Sequence, residues 1–434
     1  MKRELFLPTL LALSLRVALF IYILLYNPSF MIQPDSPTYI NPAENLLEHG
    51  AFLKGSHPDL APETVRTPGY PVFIALSYLL LGRRVESVIA LQLLLGALFP
   101  ILAWKMVEEL GGGERVKRLA AWLSAFDPLL LIYTVNVLTE ELYALMIALT
   151  VLLTLRLVKR PSLPLLLISS LFSSFQAFVR PVGLYLPFIL FLYLALRRRF
   201  KEGVILLLIS YALVFGWMYR NYRETGVFEF STISGANMLF YRAAYVLQFE
   251  TKESWVSVQE RLRRELESQA QGLNEAEKLT LAKRMGFKLI LSHPLSALKA
   301  LSRGALGVLI DPGGSYYLVA FKAYKPGSGI LNRLYELGFL RFIALLWRDY
   351  RYVFLVNFSF GLYFLFLYIA SLWGLWRNRF NPDIWLLFLI SLYFVLISAG
   401  PEAYSRFRVP FEILIIVLSS LGLERRDQPS IDSL

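Results

Sequence analysis

Eight ionisable side chains sit where an apolar chain has least reason to keep them. Asp35 lies in MIQPDSPTYI, Glu140 and Glu141 in NVLTEELYALM, Arg66 in VRTPGYPVF and Arg180 in AFVRPVGLY. Arg220 lies in WMYRNYRETG, and Arg406 and Arg408 in EAYSRFRVPFE. All stand at or beside the ends of long apolar runs, and a charge deep in a bilayer costs roughly 2.5–3.5 kcal/mol. Each alone has a plain role. Asp35, flanked by Pro34 and Pro37, suits an Asx turn or a helix cap. Glu140 and Glu141 follow Thr139 and suit a helix N-terminus. Each arginine can snorkel to lipid phosphate or pair with an acid. Together they suit another task. Several guanidiniums bind a phosphate diester through their planar forks, and a nearby carboxylate supplies acid–base chemistry. Helical neighbours point about 100° apart, so at most one of Glu140 and Glu141 faces a shared site.

The elements that must position these groups are membrane helices. Of 434 residues 56% are hydrophobic and 18% charged, against about 45–50% and 25% in soluble domains. The excess falls in runs of the length that crosses a hydrocarbon core of about 30 Å. The runs read as spans are 5–26, 85–107, 118–136, 141–158, 163–179, 183–196, 203–221, 350–376, 383–399 and 407–423. Two weaker runs, 296–311 and 329–347, form a candidate further pair. The expected fold is an all-α integral membrane bundle of 10–12 spans. Residues 1–222 form the core, with the site-bearing first outer loop at 27–84. Residues 223–349 carry outer amphipathic helices and the weaker runs, and 350–434 the C-terminal spans. The first run resembles a signal peptide but lacks a small-residue cleavage site, and is read as a retained helix.

Lys/Arg bias orients the bundle. With a cytoplasmic N-terminus, the cytoplasmic ends carry Lys2-Arg3, Arg115/Lys117/Arg118, Lys159-Arg160, Arg197 to Arg199 with Lys201, Arg377/Arg379 and Arg425-Arg426. Both termini are then cytoplasmic and the eight groups face outward from the cell membrane. This parity depends on residues 70–82, whose 13 helical residues reach only about 20 Å and are read as lying in the outer interface. The proline-rich first loop and the amphipathic stretch Glu250–Lys288 are expected to hold short interfacial helices.

Other features are set aside. The net charge of +12 resides in short clusters at span ends, with no continuous stripe for nucleic acid. There is no cysteine, hence no disulfide or thiol nucleophile. His49, His57 and His293 are scattered and suggest no metal. Asp127-Pro128 reads as a structural kink. Gly111 to Gly113 lacks the Lys-Ser/Thr of a phosphate loop.

An ordered set of motifs then resembles the glycosyltransferase C superfamily, in the branch of protein O-mannosyltransferases and bacterial lipid A aminoarabinose transferases. The set comprises Asp35 and Tyr39 after the first span, Arg66, Pro68 and Tyr70 before the interfacial helix, and Thr139-Glu140 opening the fourth span. It continues with Arg180-Pro181, then Arg220, Asn221, Tyr222, Gly226, Ser231, Thr232 and Gly235, and finally Arg406, Arg408 and Pro410. The resemblance implies a membrane glycosyltransferase using a polyprenyl- or dolichyl-phosphate sugar and a protein, lipid or glycan acceptor. Asp35 is then a catalytic residue, as general base or by orienting the acceptor, Arg66 a lipid-phosphate contact, and Glu140 a second catalytic-site acid that helps shape the site. Arg180, Arg220, Arg406 and Arg408 are carried more loosely to the donor phosphates, and Tyr39, Tyr70 and Glu141 to substrate binding. The first loop lacks the Asp-x-Asp used for metal by oligosaccharyltransferases, so metal independence, with no cofactor, is expected. One displacement would invert the anomeric centre; a retaining route would need Glu140 as nucleophile. The alternatives are a transporter or flippase of lipid-linked glycans, against which the absence of internal repeats counts, and a glycan polymerase or ligase. A receptor or scaffold has no positive feature in its favour.

Overall fold

The computed structural model describes residues 3–324, 337–401 and 403–424. Lys2, Arg425, Arg426 and the first part of the 329–347 run lie outside the described residues. The protein is a polytopic all-α membrane bundle. Among the described residues its only strands are the two-residue pair Leu53–Lys54 and Ala61–Pro62, antiparallel, with Leu53 opposite Pro62.

Five helices are long and apolar enough to cross a membrane: α1 (Glu4–Tyr26), α4 (Val85–Glu109), α7 (Glu140–Lys159), α10 (Phe200–Thr225) and α16 (Arg351–Arg377). Two short interfacial candidates, α2 (Pro37–His49) and α3 (Gly69–Leu81), lie between the first two. Helices α5 (Glu114–Phe126) and α6 (Pro128–Val135) make a sixth crossing if taken as one span bent by 46°. The bend falls at Asp127-Pro128. Pro128 has no N–H to continue the ladder, and the Asp127 carboxylate accepts from the Leu129 and Leu130 amides at 3.0 and 2.9 Å.

The remaining runs make shorter helices: α8 (Leu163–Val179), α9 (Pro181–Leu196), α17 (Pro382–Ser398) and α18 (Val409–Gly422). Seventeen residues reach about 26 Å, at the short end of the ~17–25 residues that cross a hydrocarbon core. Every residue of α18 is buried, which makes it the axis of the bundle. Gly422 and Gly374 let α18 and α16 touch backbone to backbone. A Cβ at Gly422 would sit 2.0 Å from the Ala370 carbonyl oxygen, the close approach small residues permit in membranes.

The amphipathic stretch forms α11 (Trp255–Gln269) and α12 (Glu275–Ser292), the latter opened by a capping box between Asn274 and Glu277. Val258, Leu262, Leu266 and Ala282 pack there on Leu239, Ala244 and Leu247, a small core apart from the main one. Helix α13 (Pro294–Ile310) carries Lys299 and Arg303 and is not among the helices apolar enough to span. The short α14 (Gly314–Ala320) follows it. The described end of the 329–347 run belongs to α15 (Phe339–Asp349), whose Phe342 and Leu346 are buried.

Candidate active site

Asp35 leaves α1 on a loop that the α6–α7 turn holds rigidly. The Val137 amide donates to the Met31 carbonyl at 2.9 Å, and the Ser36 hydroxyl to the Val137 carbonyl at 2.7 Å. Asn136 Nδ2 donates to the Phe30 carbonyl at 2.6 Å. The α6–α7 turn is fastened in its own right, because Gln92 Nε2 donates to the Thr134 and Asn136 carbonyls. Asp35 and Glu140, which flank these contacts, are thereby brought to one place.

Arg406 joins them. Its Nη1 donates to Asp35 Oδ2 at 2.9 Å, and its Nε donates to Glu140 Oε1. Arg66 Nη2 reaches the other oxygen, Asp35 Oδ1, at 3.1 Å. Arg180 Nη1 donates to Glu140 Oε1 at 2.7 Å. Two carboxylates and three guanidiniums thus form one chain: Arg66, Asp35, Arg406, Glu140, Arg180. Glu140 is fully buried, while the Asp35 side chain is 39% exposed. Burial works against ionising Asp35. Arg406 and then Arg66 outweigh it, and the carboxyl lies below its ordinary range.

Local packing aims these groups. Arg66 Nε donates to Thr38 Oγ1 at 2.9 Å and its Nη1 to the Tyr39 hydroxyl at 3.0 Å. Tyr39 meets Tyr70 edge to face at 5.3 Å, and the Tyr70 hydroxyl donates to Gln92 at 2.7 Å. Gly69 brings α3 against α8: a Cβ there would lie 2.7 Å from the Phe178 backbone, two residues before Arg180. Beside Asp35 and Arg406 opens a cavity of about 440 Å³, also lined by Tyr133, Tyr241, Tyr316 and Tyr404.

The geometry bears on topology. Asp35 and Glu140 share Arg406, so they lie at the same end of the bundle. Between them come α3, α4 and the α5–α6 pair, and two crossings return the chain to that end whereas three do not. Thirteen-residue α3 is the one that stays. Arg83 just beyond it pairs with Glu44 and Glu48 of α2, beside the same loop.

Other predicted site residues lie elsewhere. Glu141 turns away to Arg16, which is buried in α1, with Nε to Oε1 at 3.8 Å. Arg220 braces the first loop, donating to the Glu63 carbonyl at 2.7 Å and the Phe52 carbonyl at 2.8 Å. Ser231 and Thr232 hold the same loop, through the Val65 and Thr64 carbonyls. Gly235 lets α12 pass, since a Cβ would fall 1.9 Å from the Leu279 carbonyl oxygen.

Arg408 does not meet Asp35 or Glu140 either. It is fully buried, pairs with Glu412 one helical turn on at 2.9 Å, and donates to the carbonyls of Val308, Leu309 and Asp311. Those carbonyls end α13. Asp311 answers by accepting from the Ser405 amide at 2.7 Å. Gly304 and Gly307 allow the 399–403 turn to lie on α13, since a Cβ at Gly304 would meet the Gly400 nitrogen at 2.4 Å. Arg408 therefore positions the turn that carries Arg406. Arg408→Met should destabilise the protein by about 3–5 kcal/mol, because it strands the Glu412 charge in the interior. Arg408→Met with Glu412→Leu should recover most of that loss, and thermal unfolding in detergent measures both.

Sequence reasoning missed Arg16 and the four cavity tyrosines. Arg16 had a signal, a lone charge in the middle of an apolar run. The tyrosines had none, being four of 24 in an aromatic-rich chain. Tyr133 is 1% exposed, and its hydroxyl has no hydrogen-bond partner, an arrangement that costs about 1–3 kcal/mol when nothing fills it. Among the described residues no three His, Asp or Glu side chains cluster as a metal site.

Residues 62–219 match the family model for dolichyl-phosphate-mannose-protein mannosyltransferase. No curated protein sequence matches the chain. The structure superposes on the Archaeoglobus fulgidus oligosaccharyltransferase in its apo form with a TM-score of 0.52 and 15% identity, covering 97% of this chain and 50% of that one. The same enzyme tethered to an acceptor peptide containing the NVT sequon gives a TM-score of 0.54 at 15% identity, with 97% and 49% covered. The chain shares the fold of the aligned half of that oligosaccharyltransferase. It spans about half the length of that oligosaccharyltransferase. Cupriavidus metallidurans ArnT bound to undecaprenyl phosphate aligns at a TM-score of 0.40 and 13% identity, with 95% and 77% covered. The family match runs from the first-loop strand pair, through Arg66, Glu140 and Arg180, into α10.

Proposed function

We propose that this chain is a membrane glycosyltransferase that moves a sugar from a polyprenyl- or dolichyl-phosphate donor to an acceptor hydroxyl. The observation that carries the reading is Arg406, which binds Asp35 and Glu140 at once beside a cavity, with Arg66 on the far side of Asp35. The matched family's description names a lipid-phosphate sugar and a protein acceptor, which favours a protein hydroxyl.

In the resting arrangement Asp35 is a weak base, because two guanidiniums stabilise its charge. A donor phosphate competes for the same donors. As Arg66 and Arg406 turn to the phosphate, Asp35 is released and its proton affinity rises. The acceptor oxygen then attacks the anomeric carbon, its proton passes to Asp35, and the bond from that carbon to the phosphate oxygen breaks. The polyprenyl phosphate leaves as an anion held by the arginines. Glu140, buried and bound by Arg180 and Arg406, anchors Arg406 and is poorly placed as a nucleophile. That favours a single, inverting displacement.

Orientation follows from the basic residues. Lys159 ends α7 about 30 Å from Glu140, and it reaches Glu109 at the end of α4. Arg199 meets Val158, Arg197 meets Asp383, and Arg377 meets Gly422 in the same region. The bundle end opposite Asp35 is the basic one, and the positive-inside rule places it in the cytoplasm. Asp35 then faces outward.

The test is reconstitution in liposomes with polyprenyl-phosphate hexoses and a Ser/Thr-bearing peptide. Expected are consumption of at least one donor, a product of inverted anomeric configuration, and unchanged rates in EDTA. Loss of activity on chelation would refute metal independence, and failure to consume any donor would refute the function.

A further inference from the structure

Two tyrosines form one wall of the Asp35 cavity. Tyr133, at the end of α6, stacks on Tyr316 of α14 with centroids 5.0 Å apart and planes 17° from parallel. Tyr316 is fixed, its hydroxyl donating to Asn136 Oδ1 at 3.1 Å. The Tyr133 hydroxyl is buried but has no hydrogen-bond partner. Tyr404 adds a ring from the turn that carries Arg406, and Tyr241 one from the π-helical turn Asn237–Ala243. Single π turns recur at functional positions.

We propose that this cavity is the donor-sugar subsite. It holds one pyranose ring, and the Tyr133 hydroxyl bonds one ring hydroxyl and so sets which sugar is accepted. The inference rests on the lipid-phosphate transferase reading above. A pyranose presents C–H faces, which suit the negative faces of aromatic rings, and a hydroxyl rim, which suits Tyr133 and Asp35. Arg406 borders the cavity and bonds Asp35, so a phosphate taken by Arg406 places the sugar attached to it among the tyrosines. The volume, about 440 Å³, lies in the ~300–1,000 Å³ range of small-molecule sites. A site built to bond one substrate hydroxyl rejects the analogue lacking it, because the protein group is then left unpaired.

The experiment compares wild type with Tyr133→Phe on a polyprenyl-phosphate hexose and its singly deoxygenated analogues. The variant keeps the ring and removes only a hydroxyl that bonds nothing in the protein, so folding is preserved and Tm is expected to be unchanged or slightly higher. Wild type should discriminate against one deoxy analogue in kcat/KM. Tyr133→Phe should lose about tenfold or more of that discrimination, with the acceptor KM unchanged. Equal discrimination by both proteins, or an effect confined to the acceptor KM, would overturn the assignment while leaving the transferase reading intact. A wild type that consumes no lipid-phosphate sugar would overturn both.

Discussion

Asp35→Asn should lower sugar transfer by about 10²–10⁴-fold, the range for losing a general base, while the protein still inserts and folds. The side chain is 39% exposed, and asparagine keeps an oxygen for one of the two arginines, so little stability is at stake. The pH dependence carries a sign. The carboxyl is held below its ordinary range by Arg406 and Arg66 against burial, so its ion pairs are intact at neutral pH and are lost only as the pH falls through that lowered value. The acid limb of kcat/KM, which reports the free enzyme, should therefore lie below the usual carboxylate range. A limb near neutrality that disappears in Asp35→Asn would show a different environment from this one. Activity near the wild-type level would remove Asp35 from the chemistry.

Arg406→Lys should fail nearly as badly as Arg406→Ala, each losing about 10²–10³-fold in kcat/KM. One guanidinium here serves two acids from two different nitrogens, Nη1 to Asp35 and Nε to Glu140. A lysine ammonium is a point charge and cannot reproduce that fork. Arg406→Ala should also cost stability, because fully buried Glu140 would keep Arg180 as its one cationic partner among the described residues. Steady-state kinetics on the donor, paired with thermal unfolding, separates the two effects. A lysine variant of normal activity would mean that Arg406 supplies charge alone.

The ends of the apolar runs were legible because bilayer thickness constrains length and composition together, and the charges stranded there drew attention to Asp35, Arg66, Glu140, Arg180 and Arg406. That they share one end was legible as well, because thirteen residues in α3 are too few to cross, but which arginine meets which acid was not. Arg406 and Arg408 look alike in SRFRVPFE, yet one meets Asp35 and the other is buried on Glu412. The spacing of Arg408 and Glu412, four apart at a helix start, is a pairing signal. For Glu140 and Glu141, the 100° helical offset separates Arg406 from Arg16 as partners. Arg220 bonds backbone carbonyls of a loop, which no side-chain pattern announces. The run 407–423 was legible as the helix α18, but that protein, not lipid, surrounds all of it was not.

The most direct test is the structure of the protein in a lipid nanodisc with bound polyprenyl phosphate. The phosphate oxygens should lie about 3 Å from the guanidiniums of Arg406 and Arg66, with at least one Asp35 ion pair opened to admit them. A phosphate bound at the basic end near Lys159 and Arg199, with Arg66–Asp35–Arg406 undisturbed, would contradict the account.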